Sequence, residues 1–334
     1  METPEVTAGS AAFHQWSQEL AQTVLISVLK DHLPHSNPLY NRILAPQNTP
    51  SRHCLFAATF PPSATPHSPS TPPTILFADR SRHTEAQIWL FNPLTTLPSL
   101  STPQYHTLQA HAKAAISFLR STPIPAAPGW PFLPLLKFGC VPTHLADAIT
   151  SVASPFNAVK HDTNWTHFNI PLAGSHASPL PEGFKIAPVP SEQLRLVIAT
   201  SGIPREAETL RSLPSVAILN DGGEMIAWAF VDVDGSLATL FVVPDQRGKG
   251  LAKAVAGCLL ERLGKGEFRG ISGGRHGSVN GDDGLLPFGQ GSGWVHSEVK
   301  EGNNRSEKVV EGLGGKRCGM SRHRYDIQSE AHNL

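Results

Sequence analysis

Charge imbalance is missing from this chain: 27 Lys and Arg face 27 Asp and Glu, a formal net charge of zero over 334 residues. Nucleic acid or an anionic membrane surface is therefore not expected as the main partner, since both select a basic excess. Cysteine is scarce as well. Cys54, Cys140, Cys258 and Cys318 lie far apart, without the spacing of a disulfide framework or a zinc site. No apolar run approaches the roughly 18 residues that span a bilayer. Residues 1–10 lack the basic-then-apolar order of a secretory signal. A cytoplasmic protein is the resulting expectation, with no nucleic-acid and no membrane partner. Only 16% of residues are charged and prolines number 30, so long stretches should be loop or turn.

What is present reads as two halves. In the first, Phe13, Trp16, Leu20, Val24 and Val28 fall at helical spacing. Residues 55–60, 86–91 and 133–138 read as strands, and residues 104–120 and 143–152 as helices. Residues 61–74 are almost wholly Pro, Ser, Thr, Ala and His, a composition that builds no core. Residues 154–182 show no strong period and read as a linker. The expected division is an N-terminal α/β domain over 1–153, the linker, and a second domain over 183–327.

The second half is better patterned. Strands are expected at 184–189, 216–219, 225–233 and 237–243, with helices at 191–200 and from Pro204. Asp234-Gly235 signals a tight hairpin. A helix over about 248–263 presents Leu251, Val255, Leu259 and Leu263 on one face. Residues 264–293 are glycine-rich and aperiodic and read as a flexible insertion. A strand over 294–299 and a helix over 305–313, stopped by Gly314-Gly315, complete the pattern. No internal sequence repeat is present.

The chemistry concentrates at Phe241-Val242-Val243-Pro244-Asp245-Gln246-Arg247-Gly248-Lys249-Gly250-Leu251-Ala252. Pro244 ends the strand's ladder because it has no N–H. Gly248 and Gly250 let an anion approach the backbone with no Cβ in the way. The first amides of the following helix have no internal partner, and its dipole favours negative charge. Arg247 and Lys249 can add charge or point to solvent. The spacing excludes a nucleotide P-loop, and Lys253 stands where a dinucleotide fingerprint needs its third glycine.

Arg247-Gly248-Lys249-Gly250-Leu251-Ala252 resembles motif A of the GNAT N-acetyltransferase superfamily, [QR]-x-x-G-x-[GA]. Val299, Asn303 and Ser306 followed by Leu313-Gly314-Gly315 look like its motif B. Stretches such as Leu213-Pro214-Ser215-Val216 and Ile226-Ala227-Trp228 resemble the glycine N-acyltransferase-like branch in its fungal form. The resemblance covers roughly residues 180–327. It implies a GNAT-type mixed β-sheet flanked by helices, an α/β fold, with the N-terminal half a degenerate related unit shaping the acceptor pocket. It implies acetyl-CoA, or another acyl-CoA, bound by Phe241, Val242, Val243, Gln246, Arg247, Gly248, Lys249, Gly250, Leu251, Ala252, Asn303 and Ser306. The expected reaction is direct attack by an amine, on a small molecule or a peptide, with a backbone N–H near residues 241–243 polarising the thioester carbonyl.

Departures from the family pattern qualify the chemistry. Phe241, Val242 and Val243 are apolar where relatives carry polar groups, and Val310 stands at the family's tyrosine acid position. The catalytic candidates that remain are His296, beside the cofactor strand, and Ser306, which is equally a cofactor contact, a helix cap or a solvent-facing residue. No metal is expected, since His161 and His167 sit in no zinc-type arrangement. The competing expectation is a non-catalytic CoA-binding scaffold. The acceptor and the oligomeric state are not encoded in these patterns.

Overall fold

A computed structural model describes residues 11–63, 72–81, 83–124, 135–156, 158–268 and 291–328. The elements begin β1 (His14–Trp16), α1 (Gln18–Leu20), α2 (Ile26–Lys30), α3 (Asn37–Leu44), β2 (Leu55–Ala58), β3 (Ile75–Ala78), β4 (Ile88–Phe91) and α4 (Thr102–Ser121). Next are β5 (Leu135–Phe138), β6 (Val141–Pro142), α5 (Thr143–Ala153), β7 (Val159–Pro171), β8 (Phe184–Ala187), α6 (Leu194–Thr200) and α7 (Ala207–Ser212). The last are β9 (Ser215–Asn220), β10 (Met225–Val231), β11 (Leu237–Val242), α8 (Leu251–Gly264), β12 (Trp294–Lys300), α9 (Asn304–Gly312) and β13 (Lys316–Gln328).

Two compact units result, Met1–Val28 with His53–Thr163 and Ser321–Leu334, and Leu29–Arg52 with Asn164–Met320. In the first unit β1, β2, β3 and β4 pair antiparallel in order. β5 lies parallel to β4 through the single pair Ile88↔Phe138, and β13 pairs antiparallel with β5. Strands β2, β3 and β4 are buried at every position. Their apolar side chains meet Leu108, Ala112, Ile116 and Leu119 of α4 and Leu145 and Ile149 of α5. The capping box of Ser101 and Gln104 starts α4: the Ser101 N–H donates to Gln104 Oε1 at 2.8 Å.

In the second unit β8, β9, β10 and β11 pair antiparallel in order. The central strand β10 is buried throughout. One face packs on α8, through Leu251, Val255, Leu259 and Leu263, and the other on Leu194 and Val197 of α6 and Leu210 of α7. Each such buried aliphatic stabilises by roughly 1.5–3 kcal/mol. β12 pairs antiparallel with β7, from Trp294↔Pro171 to Lys300↔Trp165. Just ahead of β11, Ser236 forms a single parallel bridge with His296 of β12.

The units repeat one order of elements: three antiparallel strands, a helix, a strand joined in parallel at a single pair, a helix, and a final strand. No sequence repeat betrays this. Moreover, β7, the final strand of the first set, pairs with β12, while β13, the final strand of the second set, pairs with β5.

Several expectations are corrected. Residues 154–182 are not a linker: they carry the thirteen-residue strand β7. The boundaries 1–153 and 183–327 also give way, because Leu29–Arg52 belongs with the second unit and Ser321–Leu334 with the first. Phe13 and Trp16 belong at β1 rather than to a helix. Beyond them the buried stripe is Ala21, Leu25 and Leu29, one residue out of the expected register, and Leu20 is 43% exposed. Pro204 precedes α7 by a loop instead of opening it. Of the expected insertion 264–293, residues 269–290 lie outside the described residues, while Gly264 still ends α8.

Candidate active site

The strand β11 carries an irregularity just ahead of its C-terminal end. Trp228 pairs with Phe241 and Phe230 with Ala238, so β11 holds one residue more than β10 over this stretch. Thr239 takes φ 48°, uncommon for a β-branched residue. Beyond the bulge the Val243 N–H donates to Ile226 O at 2.9 Å. Antiparallel pairing alternates, so the Val242 N–H and C=O point away from β10. That narrows the expected oxyanion donor. Val243 is committed to the ladder, and Val242 is the residue of the three whose amide faces outward.

On that outward side no ladder joins β11 to β12. His296 N–H donates to Gly235 O at 3.2 Å beside the Ser236 bridge, and past this point β11 and β12 form no ladder. Two parallel strands that join once and then part leave backbone donors and acceptors on facing edges. Such a wedge suits a ligand with amides of its own, because buried peptide groups need partners.

At the head of the wedge the chain turns through Pro244–Gln246 and enters α8. Gly248 has φ 84° and Gly250 φ 76°, values that favour glycine. A Cβ placed on either would meet nothing within 4 Å, so the backbone borders open space. Gly250 is the N-cap of α8 and supplies no side-chain cap. The first intrahelical bond runs from Ala254 N–H to Gly250 O at 3.1 Å, which leaves the amides of Leu251, Ala252 and Lys253 without helical partners. The start of α4 is different. There a capping box engages the helix end, Pro103 removes one N–H, and the approach from Asn92 to Ser101 has no glycine. At this position of the repeat the second unit has two glycines ahead of the helix and no proline among the first helical residues.

The charged side chains of the loop are partly engaged. Arg247 Nε donates to Val242 O at 3.0 Å and its guanidinium lies 5.4 Å from the Phe241 ring. Phe241 stacks on Trp228 at 4.9 Å. Lys249 Nζ donates to Gln246 Oε1 at 2.7 Å, 5.7 Å from the Phe184 ring. The anion site is therefore made chiefly of backbone.

Asn303 and Ser306 come together at the start of α9: the Ser306 N–H donates to Asn303 Oδ1 at 3.2 Å, so Asn303 caps this helix. Val310 is 2% exposed and packs in the core. No proton donor occupies its place.

His296 is fully buried. Its Nδ1 lies 3.3 Å from Asn37 Nδ2 and its Nε2 3.8 Å from Asp234 Oδ2. Its ring stacks on His167 at 5.3 Å. Burial, then the neighbouring His296, push His167 down to about 4, and it is neutral at physiological pH. His167 Nε2 also meets Asn169 Oδ1 at 3.2 Å, and the Asn169 amide donates to Cys318 Sγ at 3.0 Å. The side chain of His161 lies outside the described residues. The motif search missed His167, Asn169 and Asp234 as partners of His296. The one signal was the alternation of polar His167 and Asn169 with apolar Phe168 and Ile170.

The fold is that of the GNAT superfamily of N-acyltransferases. The particular family follows from the sequence: residues 11–199 match the model of the acyl-CoA N-acyltransferase verG N-terminal domain, and the chain belongs to that family. The match ends ahead of the glycine loop. Among solved structures, a protein from Drosophila is 15% identical, with 96% of this chain and 99% of that one covered and a TM-score of 0.60. That likeness shows the shared fold. A tandem GNAT protein from the clavulanic acid biosynthesis pathway is 12% identical, covering 95% and 98%, with a TM-score of 0.46. A GNAT-family acetyltransferase from Colwellia psychrerythraea is 10% identical, covering 94% and 99%, with a TM-score of 0.43. No curated protein matches the chain. Among the described residues no helix is long and apolar enough to cross a membrane.

Proposed function

We propose that the protein transfers an acetyl or other short acyl group from acyl-CoA to an amine, on a small molecule or a peptide, by direct attack. One observation carries the reading: the parting of β11 and β12 after the Ser236–His296 bridge, with the uncapped start of α8 at its head. The pyrophosphate would take the amides of residues 250–253, where helix dipole and unpaired donors act together. The pantetheine arm would lie in the wedge. The Val242 N–H would polarise the thioester carbonyl, an interaction of the kind worth roughly 3–4 kcal/mol in the transition state.

Calorimetric titration with acetyl-CoA tests the first half of the reading, and thiol release across amino acids, polyamines and peptide N-termini tests the second. Absence of binding sinks the reading outright. A second reading, a CoA-binding scaffold without turnover, is favoured by the buried Val310 at the family's acid position. Binding without thiol release would select it.

A further inference from the structure

We infer that Glu298 on β12 is the group that takes the proton from the attacking amine, an assignment resting on the transferase reading above. The two diverging strands carry few residues able to hold a proton. On β11 Thr239 alone has a polar side chain, a hydroxyl. On β12 the candidates are His296, Ser297, Glu298 and Lys300. His296 is fully enclosed by Asn37, Asp234 and His167 and offers a substrate no approach. Ser297 is 5% exposed and alternates onto the side of Val295 and Val299, which face the core. Lys300 is exposed, and its ammonium would repel an incoming ammonium. Glu298 alone carries a carboxyl group, and it is half-buried.

Its place on the strand fits the task. Side chains alternate along β12, so Glu298 shares the face of His296. It stands two residues beyond the bridge to Ser236, the first residue on that face after β11 departs. A carboxylate there comes from β12, not from β11, the strand that bears the Val242 amide.

His167 stands opposite Glu298 across the β7–β12 ladder, with its ring nitrogen within 4.8 Å of the carboxylate. A protonated imidazole at that distance would lower the carboxylate's affinity for a proton. Burial, His296 and His35 all act against the charge on His167, while Glu298 and Asn169 favour it, and the balance leaves the ring neutral. His167 thus stands beside Glu298 as a neutral ring.

The step balances. An ammonium substrate first releases one proton to solvent. Its nitrogen then forms the C–N bond to the thioester carbon, and the C–S bond breaks. The remaining surplus proton on nitrogen passes to the Glu298 carboxylate and from there to the departing thiolate. The products are an amide, a free thiol and one proton in solution.

The test compares the intact protein with Glu298→Gln and Glu298→Asp, by thiol release from acetyl-CoA with the amine panel, by calorimetry and by thermal melts. Glu298→Gln is expected to lose about 100-fold or more in kcat, the usual share of a positioned base. Acetyl-CoA affinity and melting temperature should be unchanged, and Glu298→Asp should recover part of the rate. The gap between Glu298→Gln and the intact protein should narrow as pH rises and hydroxide takes over the removal of that surplus proton. A Glu298→Gln rate within twofold of the intact protein at every pH overturns the assignment and leaves the transferase reading standing. Acetyl-CoA binding without any thiol release by the intact protein overturns the assignment together with transfer, while absence of binding removes the cofactor reading itself.

Discussion

The His296 N–H and the Gly235 carbonyl, 3.2 Å apart, tie β12 to the β10–β11 hairpin. Everything proposed for the site follows from what happens next to that bond. On one side the strands are held by it and by the Ser236 bridge; on the other they part, beside the Val242 amide and Glu298. Asn37 from α3 braces the His296 ring, and Asn41 fills the space against Gly235 that a Cβ there would need.

Replacing Gly250 by valine should weaken acetyl-CoA binding at least tenfold. A β-branched residue at φ 76° costs about 1–2 kcal/mol in the left-handed region, and its Cβ enters the space that a phosphate would use. Calorimetry reads the affinity, and a melting temperature lowered by only a few degrees separates lost binding from lost folding.

Replacing Arg247 by alanine should cost far less, about threefold to tenfold in affinity. Its Nε serves the Val242 carbonyl, and its guanidinium lies over Phe241. The exposed charge is screened by solvent and salt. A loss beyond 100-fold would mean that the side chain, not the backbone, holds the anion.

Stability should fall on acidification because of His167. Its folded pKa, about 4, lies below the ordinary 6.5, since burial and His296 oppose its charge. Its stabilising contribution is therefore complete above pH 6.5 and is lost as pH falls toward 4, by roughly 2–3 kcal/mol. Burial shifts His32, His35 and His111 in the same direction. Denaturant melts of the intact protein and of His167→Gln, from pH 7.5 to pH 4, should show a shallower decline in the variant.

Replacing Asn303 by alanine should destabilise the protein by about 0.5–2 kcal/mol, the usual loss of an N-cap side chain. Acetyl-CoA affinity should change less than threefold. A large change in affinity with an unmoved melt would make Asn303 a ligand contact instead.

Much of the second unit was legible because its signals are local. The stripe Leu251, Val255, Leu259 and Leu263 is buried as its spacing requires. Asp234-Gly235 forms the turn between β10 and β11, and Gly314 takes φ 86° just past α9. The elements that escaped are those decided by distant partners. β3 is only four residues long and follows a proline-rich stretch, yet it is fully buried between β2 and β4. β7 looked structureless because one of its faces carries Trp165, His167 and Asn169, which pair with β12 more than a hundred residues away. The enclosure of His296 was equally hidden, since Asn37 stands 259 residues away in the chain. Glu298 was passed over because a motif anchored on Asn303 draws attention to the helix and away from the strand before it.

The exchange of final strands has a consequence for the order in which this protein can be made. β5 emerges from the ribosome early, yet its partner in the ladder, residues 325–328, is among the last segments described. β7 emerges long before β12, its own partner. Neither pairing can form before β12 and β13 are made, so a nascent chain paused after α8 carries two open strand edges at once, each a template for unwanted pairing. Cutting between β7 and β8 would part β7 from β12 and β5 from β13, all four of them strands of one sheet.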